Sequence, residues 1–274
     1  MKFRLATWNI NSVRLRLDLI ERFVANYSPD VLCLQEIKCL NDQFPYQQIE
    51  SIGFPHIEVN GQKAYHGVAT LSRLPLQKHS RYDFNGSGDA RHMAVEIASG
   101  NSGPDPLILH NFYVPAGGDE PDEEINPKFK QKLTYLKNME KRFKAQKTKA
   151  RNRMILVGDL NVAPLENDVW SHKQLLKVVS HTPVEVESLN RLQKAHSWID
   201  VMRQHVSEDK KLFTWWSYRA RDWRDSNRGR RLDHIWITPA LKGTAIRMEV
   251  AEDVRGWDRP SDHAPVIVDF DLTV

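Results

Sequence analysis

Two short polar strings far apart in the chain, Gly158-Asp159-Leu160-Asn161 and Ser261-Asp262-His263-Ala264-Pro265, each border a run of apolar residues. Together they offer two carboxylates, an amide and an imidazole, the donor set that metal-assisted hydrolysis of a phosphodiester uses. Met154 to Val157 reads as a buried strand, and Gly158 lets the chain turn so that Asp159 and Asn161 project from its end. Val266 to Phe270 reads as another strand, with Pro265 tolerated near its start. Taken singly, an Asp-Leu-Asn string is also an ordinary Asx turn. The conjunction carries the inference.

Other strand-like runs end in the same kind of residue. Leu5 to Asn11 closes on the amides Asn9 and Asn11, and Val31 to Glu36 ends an apolar run in a carboxylate. Hard divalent cations such as Mg²⁺ take oxygen ligands, through one or two carboxylates plus substrate phosphate, and Glu36 with Asn9 suits that description. The run Leu107 to Tyr113 places Tyr113 at a third end, as a hydrogen-bond donor to phosphate or as an ordinary interface aromatic. Asp233 stands among apolar neighbours in Arg231-Leu232-Asp233-His234-Ile235, where a carboxylate needs a partner.

The ordered set Trp8-Asn9-Ile10-Asn11, Leu34-Gln35-Glu36, Tyr113-Val114-Pro115, Gly158-Asp159-Leu160-Asn161, Arg231-Leu232-Asp233 and Ser261-Asp262-His263 resembles the exonuclease III and apurinic/apyrimidinic endonuclease family of the DNase I-like superfamily, from about Leu5 to Pro265. The likeness is greatest to bacterial exonuclease III proteins and includes Asn227-Arg228-Gly229. It implies a four-layered α/β sandwich, two packed mixed β-sheets flanked by helices. It also implies a Mg²⁺- or Mn²⁺-dependent phosphodiesterase acting on double-stranded DNA at 3′ ends, nicks or abasic sites. Glu36 and Asn9 would hold the metal, with Asp262 linked to it or behind it. Asp159 would orient or deprotonate the attacking water, or protonate the leaving group. Asn161 and Tyr113 would bond the phosphate oxygens. His263 would do the same if protonated or act as a base if neutral, and Asp233 would orient it. Two positions depart from the family pattern. Asn11 stands where some relatives have an acidic ligand, and Arg230 where they place a bulky apolar residue lining the abasic-sugar pocket.

The elements that must position these residues are legible in part. Phe129, Leu133, Leu136, Met139 and Phe143 repeat at helical spacing above a lysine-rich outer face, and a helix after Asn11 would carry Leu15, Leu19, Ile20, Phe23 and Val24 and stop before Ser28-Pro29. With 274 residues and no linker or repeat, one domain over 1–274 is expected. No run approaches the roughly 20 apolar residues of a membrane span and no leader-like segment opens the chain, so a cytoplasmic monomer without membrane contact is expected. Cys33 and Cys39 read as reduced thiols.

The net charge of +4 is small, and its placement matters more. Arg219, Arg221, Arg224, Arg228, Arg230 and Arg231 crowd one stretch with Trp215, Trp216, Tyr218 and Trp223. Guanidinium groups bind phosphate oxygens in pairs and aromatic rings stack on bases, so this stretch reads as a DNA-contacting loop. The second basic tract, 141 to 153, reads as a helix end and surface loop. A phosphatase or phospholipase of the same superfamily is the alternative enzyme reading, and a non-catalytic nucleic-acid binding module the third.

Overall fold

A computed structural model describes residues 1–98, 106–146, 152–220 and 222–273. Two six-stranded mixed sheets pack face to face. The first runs in the order β13 (Ala245–Val250), β14 (Val266–Asp271), β1 (Lys2–Asn9), β2 (Val31–Gln35), β4 (Val68–Ser72), β3 (His56–Asn60). The second runs β5 (Leu76–Ser80), β6 (His92–Ile97), β7 (Leu107–Tyr113), β8 (Arg153–Asp159), β12 (Asp233–Ile237), β9 (Ile199–Asp200). A short ribbon pairs β10 (Trp215–Trp216) with β11 (Gly229–Arg230). Only β1–β2 and β7–β8 pair in parallel among these ladders.

Strand alternation explains the layering. Along β1, Phe3 and Leu5 face the inter-sheet core with Val31, Cys33, Val157 and Ile235. Ala6 and Trp8 face outward onto α1 (Leu17–Tyr27), where they meet Ile20 and Phe23. On the opposite side Phe112, Leu156 and Trp236 pack under α3 (Pro127–Gln146) and α5 (Pro183–Ala195). The helices lie outside both sheets, giving the four-layered α/β sandwich expected from the resemblance.

Two local readings need correction. The first helix begins at Leu17 and leaves Leu15 76% exposed, so the apolar stripe starts one turn later than its spacing suggests. It does end before Pro29: Ser28 takes a left-handed φ of 48° and donates its N–H to Val24 O. On α3 the lysines are not all outward, because Lys132 is fully buried. Along the sequence it looks like part of the polar face. The buried carboxylate of Glu185, on α5, accepts its charge.

Near the strand ends a polar seam joins the sheets. Gln35 donates through Nε2 to Thr7 Oγ1 at 2.9 Å and Asn111 Oδ1 at 2.8 Å, and Asn111 Nδ2 donates to Ala69 O at 2.9 Å. All three side chains are buried, so this seam fixes how one sheet sits over the other directly behind the cleft.

On the far edge, His92 and His110 are buried in an aromatic cluster. Tyr82 N–H donates to His92 Nδ1, which leaves His92 Nε2 to donate to His110 Nδ1 at 3.1 Å. Both rings are therefore neutral, and burial holds His110 down to about 3 and His92 well below its usual value. The unfolded chain takes up these protons near pH 6.5, whereas the folded chain resists until far lower. Their contribution is complete above pH 6.5 and is lost as pH falls. Thermal unfolding at pH 7 and pH 5 should show acid destabilisation of about 1.4 kcal/mol per pH unit for each proton withheld. The double variant His92→Leu/His110→Leu should flatten that dependence, and an unchanged slope would reject the assignment.

Candidate active site

The second sheet sets one row of the site by register. Tyr113 on β7 lies opposite Asp159 on β8, and Asp159 lies opposite Asp233 on β12. Gly158 takes a φ of 132°, and a Cβ there would lie 2.0 Å from Phe112 O. Only glycine lets β8 approach β7 this closely before Asp159. The first sheet brings Asn9 from the end of β1, Glu36 from just past β2, and Ser261-Asp262-His263 from the loop before β14.

Asp159 is 1% exposed. Its Oδ1 accepts the backbone N–H of Asn161 and its Oδ2 accepts Nδ2 of Asn9, both at 2.9 Å. His263 Nε2 stands 3.7 Å from that same Oδ2, and His263 Nδ1 is 2.7 Å from Asp233 Oδ2. Thr214 Oγ1 donates to Asp233 Oδ2 at 2.6 Å. The imidazole thus lies between two carboxylates. Burial works against its charge, yet Asp233 and Asp159 outweigh that and lift it to about 10, so the ring is an imidazolium at neutral pH. Burial dominates at Asp159 and raises it to about 7, with His263 pulling the other way.

Glu36 lies at the cleft floor with its side chain 19% exposed. Burial would raise its carboxyl, but Lys38, with Nζ 2.8 Å from Oε2, and Asn9, with Nδ2 2.9 Å from Oε1, hold it below the usual range. Asn9 therefore presents its amide N–H groups to Glu36 and Asp159, while its oxygen accepts the N–H of Asn11 at 3.1 Å. Burial beside Glu36 and Asp159 keeps the Tyr113 hydroxyl protonated, and Arg91 lies 5.0 Å from its ring centroid. Asp262 accepts from Trp215 Nε1 at 2.9 Å and from Asn11 Nδ2 at 3.3 Å. Asn11, Glu36, Lys38 and Asn161 all have left-handed φ values between 49° and 54°. Such backbone is costly outside glycine and clusters at functional sites.

The donor chemistry fits a hard divalent cation. Glu36 supplies an ionised carboxylate beside an amide, and its Lys38 partner is a flexible side chain that a cation can displace. Asp159, Asp233 and His263 each bring a ligand atom to within 4.8 Å of one another, but both ring nitrogens of His263 face carboxylates, which suits a shared proton better than a metal. Glu36 is the better seat.

The residues singled out from strand ends gather here. Glu36, Tyr113, Asp159, Asn161, Asp262 and His263 line one cleft of about 710 Å³, with Asn9 and Asp233 behind them. The basic stretch divides. Arg219, Arg224 and Arg228 are exposed, and Trp215 and Arg230 form part of the cleft wall. Arg221 lies outside the described residues. Arg231, read as part of the surface loop, is instead fully buried: it makes a bidentate pair with Asp168, both bonds 2.8 Å, and reaches Asp200 Oδ2 at 2.7 Å. Arg230 ends β11 and lines the cleft, whereas Arg231, just past the strand, is held in the core by Asp168 and Asp200.

One residue of the site has no motif to announce it. Lys132 Nζ donates to Asn161 O at 2.7 Å, to Ala116 O at 3.2 Å and to Glu185. Glu185 also accepts from Ser180 N–H at 2.9 Å and Thr182 Oγ1 at 2.7 Å. This buried pair ties α3, α5 and the loops after β7 and β8 together beneath Asn161. The stretch 166 to 196 supplies both Asp168 and Glu185.

Residues 6–263 match the model of the endonuclease/exonuclease/phosphatase family. The chain is 30% identical over 276 residues to exodeoxyribonuclease III of Haemophilus influenzae, covering 98% of this chain and 100% of that protein. A Neisseria 3′ phosphatase solved with a product DNA hairpin superimposes with a TM-score of 0.87 at 28% identity, over 98% of this chain and 99% of that one. An AP endonuclease from Archaeoglobus fulgidus does so with a TM-score of 0.87 at 27% identity and the same coverage.

Proposed function

The chain belongs to the endonuclease/exonuclease/phosphatase family and is a DNA-repair nuclease, and we propose that it hydrolyses phosphodiesters of double-stranded DNA at 3′ ends, nicks and abasic sites, with Mg²⁺ as its cation and Mn²⁺ as a substitute. The observation that carries this reading is the His263 imidazole held between Asp233 and Asp159 beside the Glu36 carboxylate, on the floor of a cleft walled by Trp215 and arginines. In this reading the protein works as a cytoplasmic monomer. Among the described residues no helix is long and apolar enough to cross a membrane.

Glu36 would hold the cation, with Asn9 orienting the carboxylate, and the cation would polarise a phosphate oxygen and offset charge on the leaving 3′ oxygen. Asp159 takes the proton of the attacking water. Its buried carboxyl sits high enough to accept a proton near neutrality, and its two hydrogen bonds fix which oxygen faces the cleft. Asn161, Tyr113 and the His263 imidazolium donate hydrogen bonds to the phosphate oxygens as negative charge grows there. Asp233 keeps His263 protonated and correctly turned. Asp262 fixes Trp215 and Asn11 at the rim.

The decisive assay uses a duplex oligonucleotide with one abasic site and a second with a recessed 3′ end, each with Mg²⁺ and with chelator. Cleavage with Mg²⁺ alone supports the reading, and undiminished cleavage in chelator rejects the cation's role. Glu36→Gln should raise the Mg²⁺ concentration for half-maximal rate and lower the rate. Absence of DNA cleavage with turnover of an inositol phosphate or a phospholipid would favour the superfamily alternative.

The exposed arginines support a grip on the DNA backbone. Arg224 lies 5.1 Å from the Trp223 ring centroid and Arg228 4.8 Å from that of Trp170, so their stems are braced. Neutralising Arg219, Arg224 or Arg228 singly should weaken binding on all sequences alike. Where the arginine removed does pair with a phosphate, the slope of log affinity against log salt should flatten by about 0.9. Unchanged affinity and slope in all three variants would make this stretch a solvated turn.

A further inference from the structure

The outer face of the second sheet carries a pocket of about 290 Å³ that shares no lining residue with the catalytic cleft. Its floor is a cross-strand patch, in which Ala94 lies opposite His110 and Ile108 lies opposite both Glu96 and Met154. Met154 stands near the start of β8 and Asp159 at its end, so about 16 Å of strand separates the pocket from the chemistry. Arg142 and Gln146, one turn apart on α3, form one wall, and Lys78 and Tyr82 part of another. Two donors at this pocket lack partners. His110 is 4% exposed, and its Nδ1 accepts from His92 Nε2, so Nε2 carries the ring proton. That Nε2 is buried without a hydrogen-bond partner. Arg142 lies with Cζ 3.2 Å from the Tyr82 ring centroid, and its Nε is likewise buried and unpartnered. Among the described residues Arg142 forms no ion pair: Glu96 pairs with Lys78 at 3.7 Å, and His79 with Glu58 at 3.3 Å. The pocket therefore joins one unanswered positive charge and one buried N–H to an apolar floor. Buried donors left without acceptors are costly, and a ligand that answers both offsets that cost.

We infer that this pocket is a second, non-catalytic ligand site that takes a nucleoside 5′-monophosphate. The phosphate meets the Arg142 guanidinium, whose planar fork suits two phosphate oxygens. The flat base lies over Ala94, Ile108 and Met154 and turns an acceptor toward His110 Nε2. The volume is at the small end for ligand pockets, which suits a mononucleotide and excludes a duplex. For the source of this ligand the inference rests on the DNA phosphodiesterase reading above. Water attacks the last phosphodiester of a 3′ end and gives its proton to Asp159. The bond from phosphorus to O3′ of the preceding nucleotide breaks and that O3′ gains a proton, so the terminal nucleotide leaves with the phosphate on its 5′ oxygen.

The test is a titration in chelator, where nothing is cleaved, that follows the ring resonances of ¹⁵N-histidine-labelled protein. Deoxyadenosine and thymidine 5′-monophosphate should move the His110 signal, which His110→Gln identifies. Arg142→Gln and Arg142→Ala should raise the Kd read from that signal about 10- to 100-fold, the range of one charge-assisted contact, and Arg142→Lys should recover part of it. Cleavage of an abasic duplex with Mg²⁺ should be unchanged in these variants, and thermal unfolding checks that each is folded. A His110 signal that stays still while His263 moves would confine the nucleotide to the cleft and overturn the inference. So would equal affinity in both neutral variants. Inorganic phosphate binding as tightly would reject the nucleotide, and a deoxynucleoside without phosphate binding as tightly would reject the anion. If the wild type releases no mononucleotide from a recessed 3′ end, the DNA reading fails as the source of the ligand, whereas the titration, which needs no turnover, decides the pocket separately.

Discussion

Asp159→Asn should lower kcat by roughly 10²- to 10⁴-fold with Mg²⁺ saturating, while KM for DNA changes little, because the variant loses the proton acceptor and keeps the arginine-lined rim. The replacement is nearly isosteric, yet it carries a geometric consequence. The carboxylate accepts two hydrogen bonds, from Asn161 N–H on one oxygen and Asn9 Nδ2 on the other. An amide can satisfy only one of those donors and turns its own NH₂ toward the second. Part of the loss therefore comes from a displaced Asn9 or Asn161. Thermal unfolding and DNA affinity, measured beside the rate, separate the two contributions, since a displaced loop moves all three and a missing base moves only the rate. Turnover within tenfold of wild type would take the proton-accepting role away from Asp159.

The strand-end residues were legible in the sequence because each terminates an apolar run with a group that has little reason to be there. Both sheets point those ends at one edge, so polar tips read separately from β1, β2, β7, β8, β12 and the loop before β14 meet in space. The two-sheet architecture is what the resemblance implies, whereas individual strands such as β8 and β14 are legible from their apolar runs. What stayed hidden depends on partners distant in sequence. Lys132 sits at an ordinary helical position, and only Glu185, 53 residues away, makes its burial tolerable. Arg230 and Arg231 are neighbours of one type: the first ends a two-residue ribbon strand too short to recognise by pattern, and the second, just past it, is buried by Asp168 and Asp200, far from it in the chain. Leu15 fits the helical spacing but precedes the helix. The polar seam through Gln35 and Asn111 was also not legible, since amides in apolar runs show their purpose only when the facing sheet is placed.

Asp233 and His263 should behave as one unit, with His263→Ala and Asp233→Asn each costing roughly 10²- to 10³-fold in kcat, the loss seen when a single oxyanion donor is removed, and the double variant little worse than His263→Ala. The pair is buried and joined at 2.7 Å, and Asp233 is the main influence holding the ring charged against the cost of burial. The ring acts in its protonated form, as a donor to the phosphate oxygens, so its activity is present below its pKa and lost as pH rises through it. In the wild type that loss lies near pH 10. Asp233→Asn removes the raising influence, so the alkaline limb should move to lower pH and the rate deficit should widen between pH 7 and pH 9. A general base would behave in the opposite sense, because lowering its pKa would extend activity toward acid. Losses that add fully in log rate would show that the two residues act separately, and an alkaline limb that stays in place would mean that Asp233 only packs against the ring.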